Sequence, residues 1–492
     1  MTLAADRPVQ TGTFDSLDPR TGAVVATFPV HTPEEVAAAV ARAKPAAAWW
    51  RELGWGGRRE RLDAWKRLIV QRGDELAELV HRENGKPVSD ARLTEVTLPV
   101  DHIAWAAKHA PKVLGSHKVP AGLMMANQAA TLEYQPLGVV GVIGPWNYPV
   151  FTPMGSIAYA LAAGNAVVFK PSEYTPAVGK WLVDTFAEVV PEQPVLQLVT
   201  GFGETGAALC RAGVDKIAFT GSAATGKKVM AACAETLTPV LMECGGKDAL
   251  IVDDDADVDA AATAALWGGM SNAGQTCIGI ERIYATDKVY DEFLAKLTEK
   301  AGKVTAGTSY GPITMPSQVD VIRRHIADAI DRGGRAVTGG HIDGGLVEPT
   351  ILVDVPEDSL AVTDETFGPT LTVARVRDAD EAVERANATT YGLAGAVFSK
   401  KRGVELARRL RTGMTSVNQV AAFAGVPSLP FGGSGDSGFG RIHGADGLRE
   451  FTRAKAITRQ RYPLPVPLLS FDRTPKIDAL LGRAVRFLHG RG

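Results

Sequence analysis

The sequence predicts an α/β protein with two parallel-sheet domains that share a cleft. Two observations carry that prediction. From Leu137 onward, short unbroken apolar runs alternate with helical stretches, the pattern of a parallel sheet covered on both faces. A second stretch of the same kind begins at Asp257, and a chain of 492 residues has room for roughly two to four domains.

The elements follow in order. Residues 34–48 and 58–81 read as amphipathic helices, the second with Leu62, Trp65, Leu68, Ile69, Leu76 and Leu79 at helical spacing. Strands are expected at 139–143, 166–169, 195–199, 217–219 and 240–242, with helices at 157–163, 178–190 and 225–234 among them. The second stretch has a helix from 257 toward 267, a strand at 282–285, helices at 289–302 and 317–332, and strands near 371–376 and 395–398. No repeat of fixed period and no low-complexity linker interrupts this order. After Tyr462 a proline-rich run (463–469) cannot hold a regular ladder. Beyond it, Ile477, Leu480, Leu481, Ala484, Val485 and Leu488 mark one face of a helix. Residues 472–492 carry five Lys/Arg against two Asp. The favoured reading is a helix docked on its own or a neighbouring subunit; the alternative is a helix lying on a membrane surface.

Composition excludes several classes. With 53 Lys+Arg against 55 Asp+Glu, the chain lacks the basic surplus that phosphate neutralisation needs, so no nucleic-acid partner is expected. The longest apolar candidate, 139–151, is cut by Gly141, Gly144, Pro145, Asn147 and Pro149 and falls short of a membrane span. Residues 1–11 carry Asp6 and Arg7 and no apolar core, so no signal peptide is expected. Cys210, Cys233, Cys244 and Cys277 form no CxxC pair and no metal-ligand spacing. They read as reduced thiols of a cytoplasmic enzyme that uses no metal.

Three glycine clusters compete for a dinucleotide. Gly201–Gly206 spells GxGxxG after a strand, yet lacks the acidic residue about 20 positions on that the fingerprint wants. Thr220-Gly221-Ser222 with Gly226 also joins a strand to a helix, where a hydroxyl and free N–H groups suit a diphosphate. Gly432–Gly438 reads as a tight loop near a site. Cys277 follows Gly274-Gln275-Thr276, whose glycine permits close backbone approach; a lone cysteine is otherwise a small hydrophobe. Glu243 ends an apolar strand and precedes two glycines, a placement for general-base work; otherwise it is a solvated acid or a partner of Lys247. Asn147, in Pro145-Trp146-Asn147-Tyr148-Pro149, has an amide able to donate to an oxyanion or simply to form a turn. No histidine stands beside these motifs, which disfavours a Cys/His hydrolase.

As a set, GPWNYP, VVFKPSE, FTGSAATG, LMECGGKD, GQTC, ETFGP, SVNQ and PFGGSGDSGFGR resemble the aldehyde dehydrogenase superfamily in order and spacing across residues 15–460. The resemblance implies a Rossmann-type cofactor domain (1–125 and 141–243), a catalytic domain (244–449), an oligomerisation arm (126–140 and 450–462) and a tail (463–492). It makes Cys277 the nucleophile, Glu243 the base, and Asn147 with the Cys277 N–H the oxyanion hole. Lys170 and Glu173 would hold the adenosine ribose, and Ser222, with Gly221 and Gly226, the pyrophosphate. Glu365 would hold the nicotinamide ribose with Phe367 beside it, while Trp146 and Gly203 border the same site. The implied cofactor is NAD, with NADP as the alternative; the implied partners are an aldehyde and one or three further copies of the chain. The late segments SVNQVAAFAGVPSLPFGG and GRIHG are closer to class 3 members, which act on fatty and aromatic aldehydes.

Some positions depart from the superfamily's usual pattern. Cys244 stands where leucine is usual, as inert packing or a redox-sensitive thiol. No second cysteine follows Cys277, and no arginine follows Asn147 at the position where members with carboxylated substrates carry one. Apolar aldehydes are therefore favoured, with Tyr148, Val150, Phe151, Met154, Ile278, Ile280, Val420 and Phe423 as candidate lining. Succinic semialdehyde is the alternative, with Arg282 or the basic tail supplying the cation. A cofactor-independent thioesterase-like hydrolase is the alternative from another class.

Overall fold

The computed structural model describes residues 12–463 and 469–490. The segment 1–11, where no signal peptide is expected, and most of the proline-rich run lie outside the described residues. The chain forms two compact units, one of Met1–Val113 with Pro136–Thr452, the other of Leu114–Gln135 with Arg453–Gly492.

The first unit holds two large sheets. In the first, five parallel strands, Val139–Ile143, Ala166–Lys170, Leu196–Leu198, Lys216–Thr220 and Val240–Glu243, lie in the spatial order 3-2-1-4-5 by chain position. Their apolar runs are buried almost throughout, because the helices Phe151–Ala163, Pro176–Val189, Gly203–Arg211 and Ala223–Ala234 leave the sheet little exposed face. The short strand Gly438–Phe439 adds antiparallel beside Val240–Glu243. The late glycine cluster thus closes an edge and lies beside Glu243: a Cβ on Gly432 would stand 2.8 Å from Glu243 Oε1.

The second sheet has seven strands, six of them parallel and one, the edge strand Arg335–Thr338, antiparallel, with Asp248–Val252 and Ile280–Thr286 side by side in its interior. The strands Asp248–Val252, Thr350–Val353 and Met414–Val417 are absent from the sequence reading, being four or five residues long with no alternation to mark them. The helix expected over 58–81 is two helices, Gly54–Gln71 and Gly73–Asn84. Gly73 presses against Val96, where a Cβ would come within 2.9 Å of Cγ1.

In the second unit, His117–Val119, Gln128–Pro136 and Thr452–Gln460 form a three-stranded sheet. The tail helix runs Pro475–His489, and none of its residues is buried.

Candidate active site

Numbered as above, the first sheet reverses direction between Val139–Ile143 and Lys216–Thr220, the crevice where α/β sheets bind ligands outside their strand ends. Residues 145–147 leave one side of it, and Gly221 and Ser222 leave the other. Ser222 caps the helix Ala223–Ala234, its hydroxyl accepting from the Thr225 N–H at 3.3 Å. Gly226 allows that helix to approach Cys244, since a Cβ there would stand 3.1 Å from Sγ. Lys170 ends the next strand. Its buried ammonium donates to the Pro171 carbonyl at 3.1 Å and lies 3.9 Å from Glu173, and burial lowers its pKa. The literal GxGxxG belongs to the edge strand, not the first strand, yet Gly206 still borders the Lys170 stem, a Cβ there lying 3.7 Å from Cδ. Nothing stands within 4 Å of a Cβ on Gly203.

Asn147, 5 % exposed, donates from Nδ2 to the Gln275 carbonyl at 3.0 Å, leaving its second N–H to another acceptor. Its own carbonyl accepts from Lys86 Nζ at 3.1 Å and from Asn272 Nδ2 at 3.0 Å. Lys86 is paired with Glu95, both almost fully buried, and Glu95 Oε2 accepts the N–H groups of Val150 and Phe151 at 3.0 and 2.9 Å. Asn84 holds the Trp146 carbonyl at 3.0 Å. The whole loop is clamped from the segment Asn84–Glu95.

Cys277 is half-buried and follows a left-handed run: Asn272, Ala273 and Gly274 have φ of 52°, 57° and 69°. At Gly274 only glycine fits, because a Cβ would fall 2.0 Å from the Gly368 carbonyl oxygen. Burial first, then the carboxyls of Glu365, Asp248 and Glu243, push the Cys277 thiol well above its usual range. Glu243 is buried with both carboxyl oxygens unpartnered, and burial raises its pKa well above the ordinary value. Lys247 is bound to Glu281, so it is not the partner of Glu243. Glu365 accepts from the Gly246 N–H at 2.9 Å and is pushed up to about 8 by burial and by Glu281. Phe367 meets Trp146 edge-on, ring centroids 5.6 Å apart. Cys244 is packed beneath Gly226, and burial pushes it up to about 12, so it remains a thiol at neutral pH.

Several contacts escape sequence reading. Lys86, Glu95, Asn272 and Gln275 hold the Asn147 loop; the only local signal is the ENGKP run, a turn with a cation between glycine and proline. Histidines also reach the motifs. His325 Nδ1 lies 3.1 Å from Thr366 Oγ1, and the His102 and His443 rings, tilted by 33°, have centroids 3.7 Å apart beside Phe151. Burial pushes His102 down to about 4 and His443 well below its usual value, so both rings are neutral. Among the candidate lining residues, Phe151 and Phe423 stand on either side of Phe431 and His443. Val150 and Met154 are fully buried, while Ile280 and Val420 pack into the core of the second sheet around Gly268. Arg282 is also buried. Its N–H groups go to the carbonyls of Lys247, Arg385 and Ala386 and to the Tyr284 hydroxyl, so it does not supply a free cation.

The family model "Aldehyde dehydrogenase family" matches residues 7–457. The chain belongs to the aldehyde dehydrogenase family. Its α/β fold is that of solved members: the NAD-dependent aldehyde dehydrogenase of Sinorhizobium meliloti superposes with a TM-score of 0.88 at 32% identity, covering 93% of each chain. The 4,4'-diapolycopene aldehyde oxidase of a Methylomonas species is 37% identical over 92% of this chain and 87% of its own. A protein of Mycobacterium ulcerans (strain Agy99), named "Putative succinate-semialdehyde dehydrogenase (NADP(+)) 2", is 36% identical over 95% of this chain and 93% of its own.

Proposed function

We propose that this aldehyde dehydrogenase oxidises an aldehyde to a carboxylic acid with NAD or NADP, through a thioester on Cys277. The Asn147–Gln275 bond supports this reading most, because it fixes a donor amide two residues from the thiol. Cys277, its thiol proton first lost to solvent, adds Sγ to the carbonyl carbon as the C=O π bond opens, and the resulting oxygen anion is met by the free Asn147 N–H and the Cys277 N–H. One such preorganised donor lowers the barrier by about 3 kcal/mol. The nicotinamide ring, when bound, supplies the hydride acceptor. Glu243 then takes a proton from the water whose oxygen adds to the thioester, the C–S bond breaks, and the acid leaves with the thiol restored.

The crevice of the first sheet suits a dinucleotide. Lys170 has donor capacity beyond its single carbonyl bond, the Ser222 hydroxyl is exposed, and the space over Gly203 is open. Lys170, Glu173, Gly203, Gly221, Ser222, Gly226, Glu365, Phe367 and Trp146 would hold the cofactor. Glu173, three residues after Lys170, would bond ribose hydroxyls and repel a 2′-phosphate, so NAD is the preferred form. Residues 1–125 with 141–243 would act as the cofactor domain and 244–449 as the catalytic one. The strands Gln128–Pro136 and Thr452–Gln460 would join subunits into a dimer or tetramer.

Apolar aldehydes are the proposed substrates. Arg282 is spent on carbonyls, and an unpaired carboxylate in a dry site is costly. The Methylomonas relative, named for an aldehyde of a long polyene, agrees with this reading; the M. ulcerans relative favours succinic semialdehyde as the second reading. A matched panel tests both. kcat/KM should rise from acetaldehyde through hexanal and stay high for benzaldehyde, each buried methylene adding at most about 0.8 kcal/mol. Succinic semialdehyde emerging as the best substrate would overturn the apolar reading.

A further inference from the structure

Residues 458–492 lie beyond the segment matched by the family model, and the helix Pro475–His489 within them has an apolar stripe of which no residue is buried among the described residues. Leu480, Val485 and Leu488 are 50, 47 and 37% exposed. Just before the helix, Leu469 and Phe471 are almost wholly exposed. At 3.6 residues per turn, Ile477, Leu480, Leu481, Ala484, Val485 and Leu488 share one arc of the helix. Lys476 and Arg483 border one margin of that arc, Arg486 lies on the polar face opposite it, and none of the three belongs to an ion pair among the described residues. Asp478, on the opposite margin, is paired with Arg473.

We propose that this helix seats the enzyme on an anionic lipid bilayer, apolar arc in the acyl boundary and the three cations among the headgroups. Length argues for lying on a membrane and not crossing it: 15 residues rise about 22 Å, short of the roughly 30 Å hydrocarbon core. Charge argues for lipid over a second copy. In an antiparallel self-pairing the same margin of each helix meets its copy, which sets the cationic margin of Lys476 and Arg483 against itself. Anionic headgroups instead pair with all three, and each contributes to membrane affinity.

Flotation of the full-length protein with vesicles tests this. On phosphatidylcholine mixed with phosphatidylglycerol, binding should exceed that on phosphatidylcholine alone by about tenfold or more at low salt and should fall as salt rises. Leu480→Glu with Leu488→Glu should abolish binding while oxidation of a water-soluble aldehyde stays unchanged. Lys476→Gln with Arg483→Gln and Arg486→Gln should erase the preference for the anionic vesicles. Absence of binding to either vesicle would overturn the proposal, as would binding retained by the Leu480/Leu488 variant. A change of oligomeric state in that variant, in a protein that binds no vesicle, would also overturn it and assign the face to a second copy of the chain.

Discussion

The two sheets of the larger unit present opposite ends to the candidate site. The first sheet contributes from the carboxyl ends of its strands: the Asn147 loop, Lys170, Ser222 and Glu243 all follow a strand. The second contributes from the amino ends: Lys247, Cys277 and Phe367 all precede one. The first arrangement is what parallel sheets do by default, because helix amino termini gather at the carboxyl edge. The second has to be built. To present Cys277 the chain passes through Asn272 and Ala273 in left-handed conformation, a strain of about 1–2 kcal/mol each. Bonds from Asn272 to the Asn147 carbonyl and from Gln275 Nε2 to the Asn272 carbonyl, at 3.0 and 2.9 Å, hold it there. The proposed roles follow this line only in part: Lys170 and Ser222 would bind nucleotide at the regular end and Cys277 would act at the strained one, while Asn147 and Glu243 would reach the chemistry from the regular end and Glu365 and Phe367 would hold the cofactor from the other.

Substitutions at the two ends should therefore separate. Cys277→Ala should lower aldehyde oxidation by at least about 10⁴-fold and leave cofactor affinity, read by fluorescence titration, within about twofold. Loss of cofactor binding in the folded variant would merge the two ends into one. Asn147→Ala comes next. With one of the two proposed donors to the developing charge removed, kcat should fall about 10²–10³-fold; a change in KM alone would make Asn147 a substrate contact. Lys170→Met, at the regular end, should raise the cofactor KM by about tenfold with little change in kcat, because a hydrogen bond to a charged group is worth about 1.5–3 kcal/mol. Equal losses in kcat and kcat/KM would place Lys170 in the chemistry.

The regular end was also the legible one. Asn147, Lys170, Ser222 and Glu243 each follow an apolar run, so their placement at strand ends was readable from hydrophobic pattern and turn chemistry alone. Their supports were not. Glu95 is a carboxylate on an otherwise unremarked helical stretch, and only the fold shows that it caps Val150 and Phe151 while neutralising Lys86. The left-handed run before Cys277 was equally silent, since two of its three residues are not glycine. The break at Gly73 escaped because a single glycine inside a helical pattern does not mark a boundary; its packing against Val96 does. Arg282 misleads in the other direction: as a charge near Cys277 in the sequence it suggests a substrate anchor, yet its donors all face inward.

Thiol chemistry sharpens the contrast with a smaller effect. Burial and three carboxyls hold the Cys277 thiol well above its usual range in the ligand-free enzyme. The reactive form is the thiolate, whose fraction rises with pH below the pKa, so carbamidomethylation of Cys277 should quicken by roughly tenfold per pH unit between about 7 and 9 without a plateau. Mass spectrometry of the Cys277 peptide reads this directly. A plateau near pH 7 would mean that a cation at the strained end already activates the thiol.

In the proposed reaction Glu243, on the regular side, serves the second half of what Cys277 begins on the strained side. Rapid mixing of Glu243→Gln with hexanal and NAD measures it most directly. The expected result is a burst of reduced cofactor close to one per active site, an acyl adduct on Cys277 in the intact mass, and then very slow turnover. A burst slowed as much as the steady state, with no adduct, would contradict that order of steps and place the carboxyl of Glu243 in the first step.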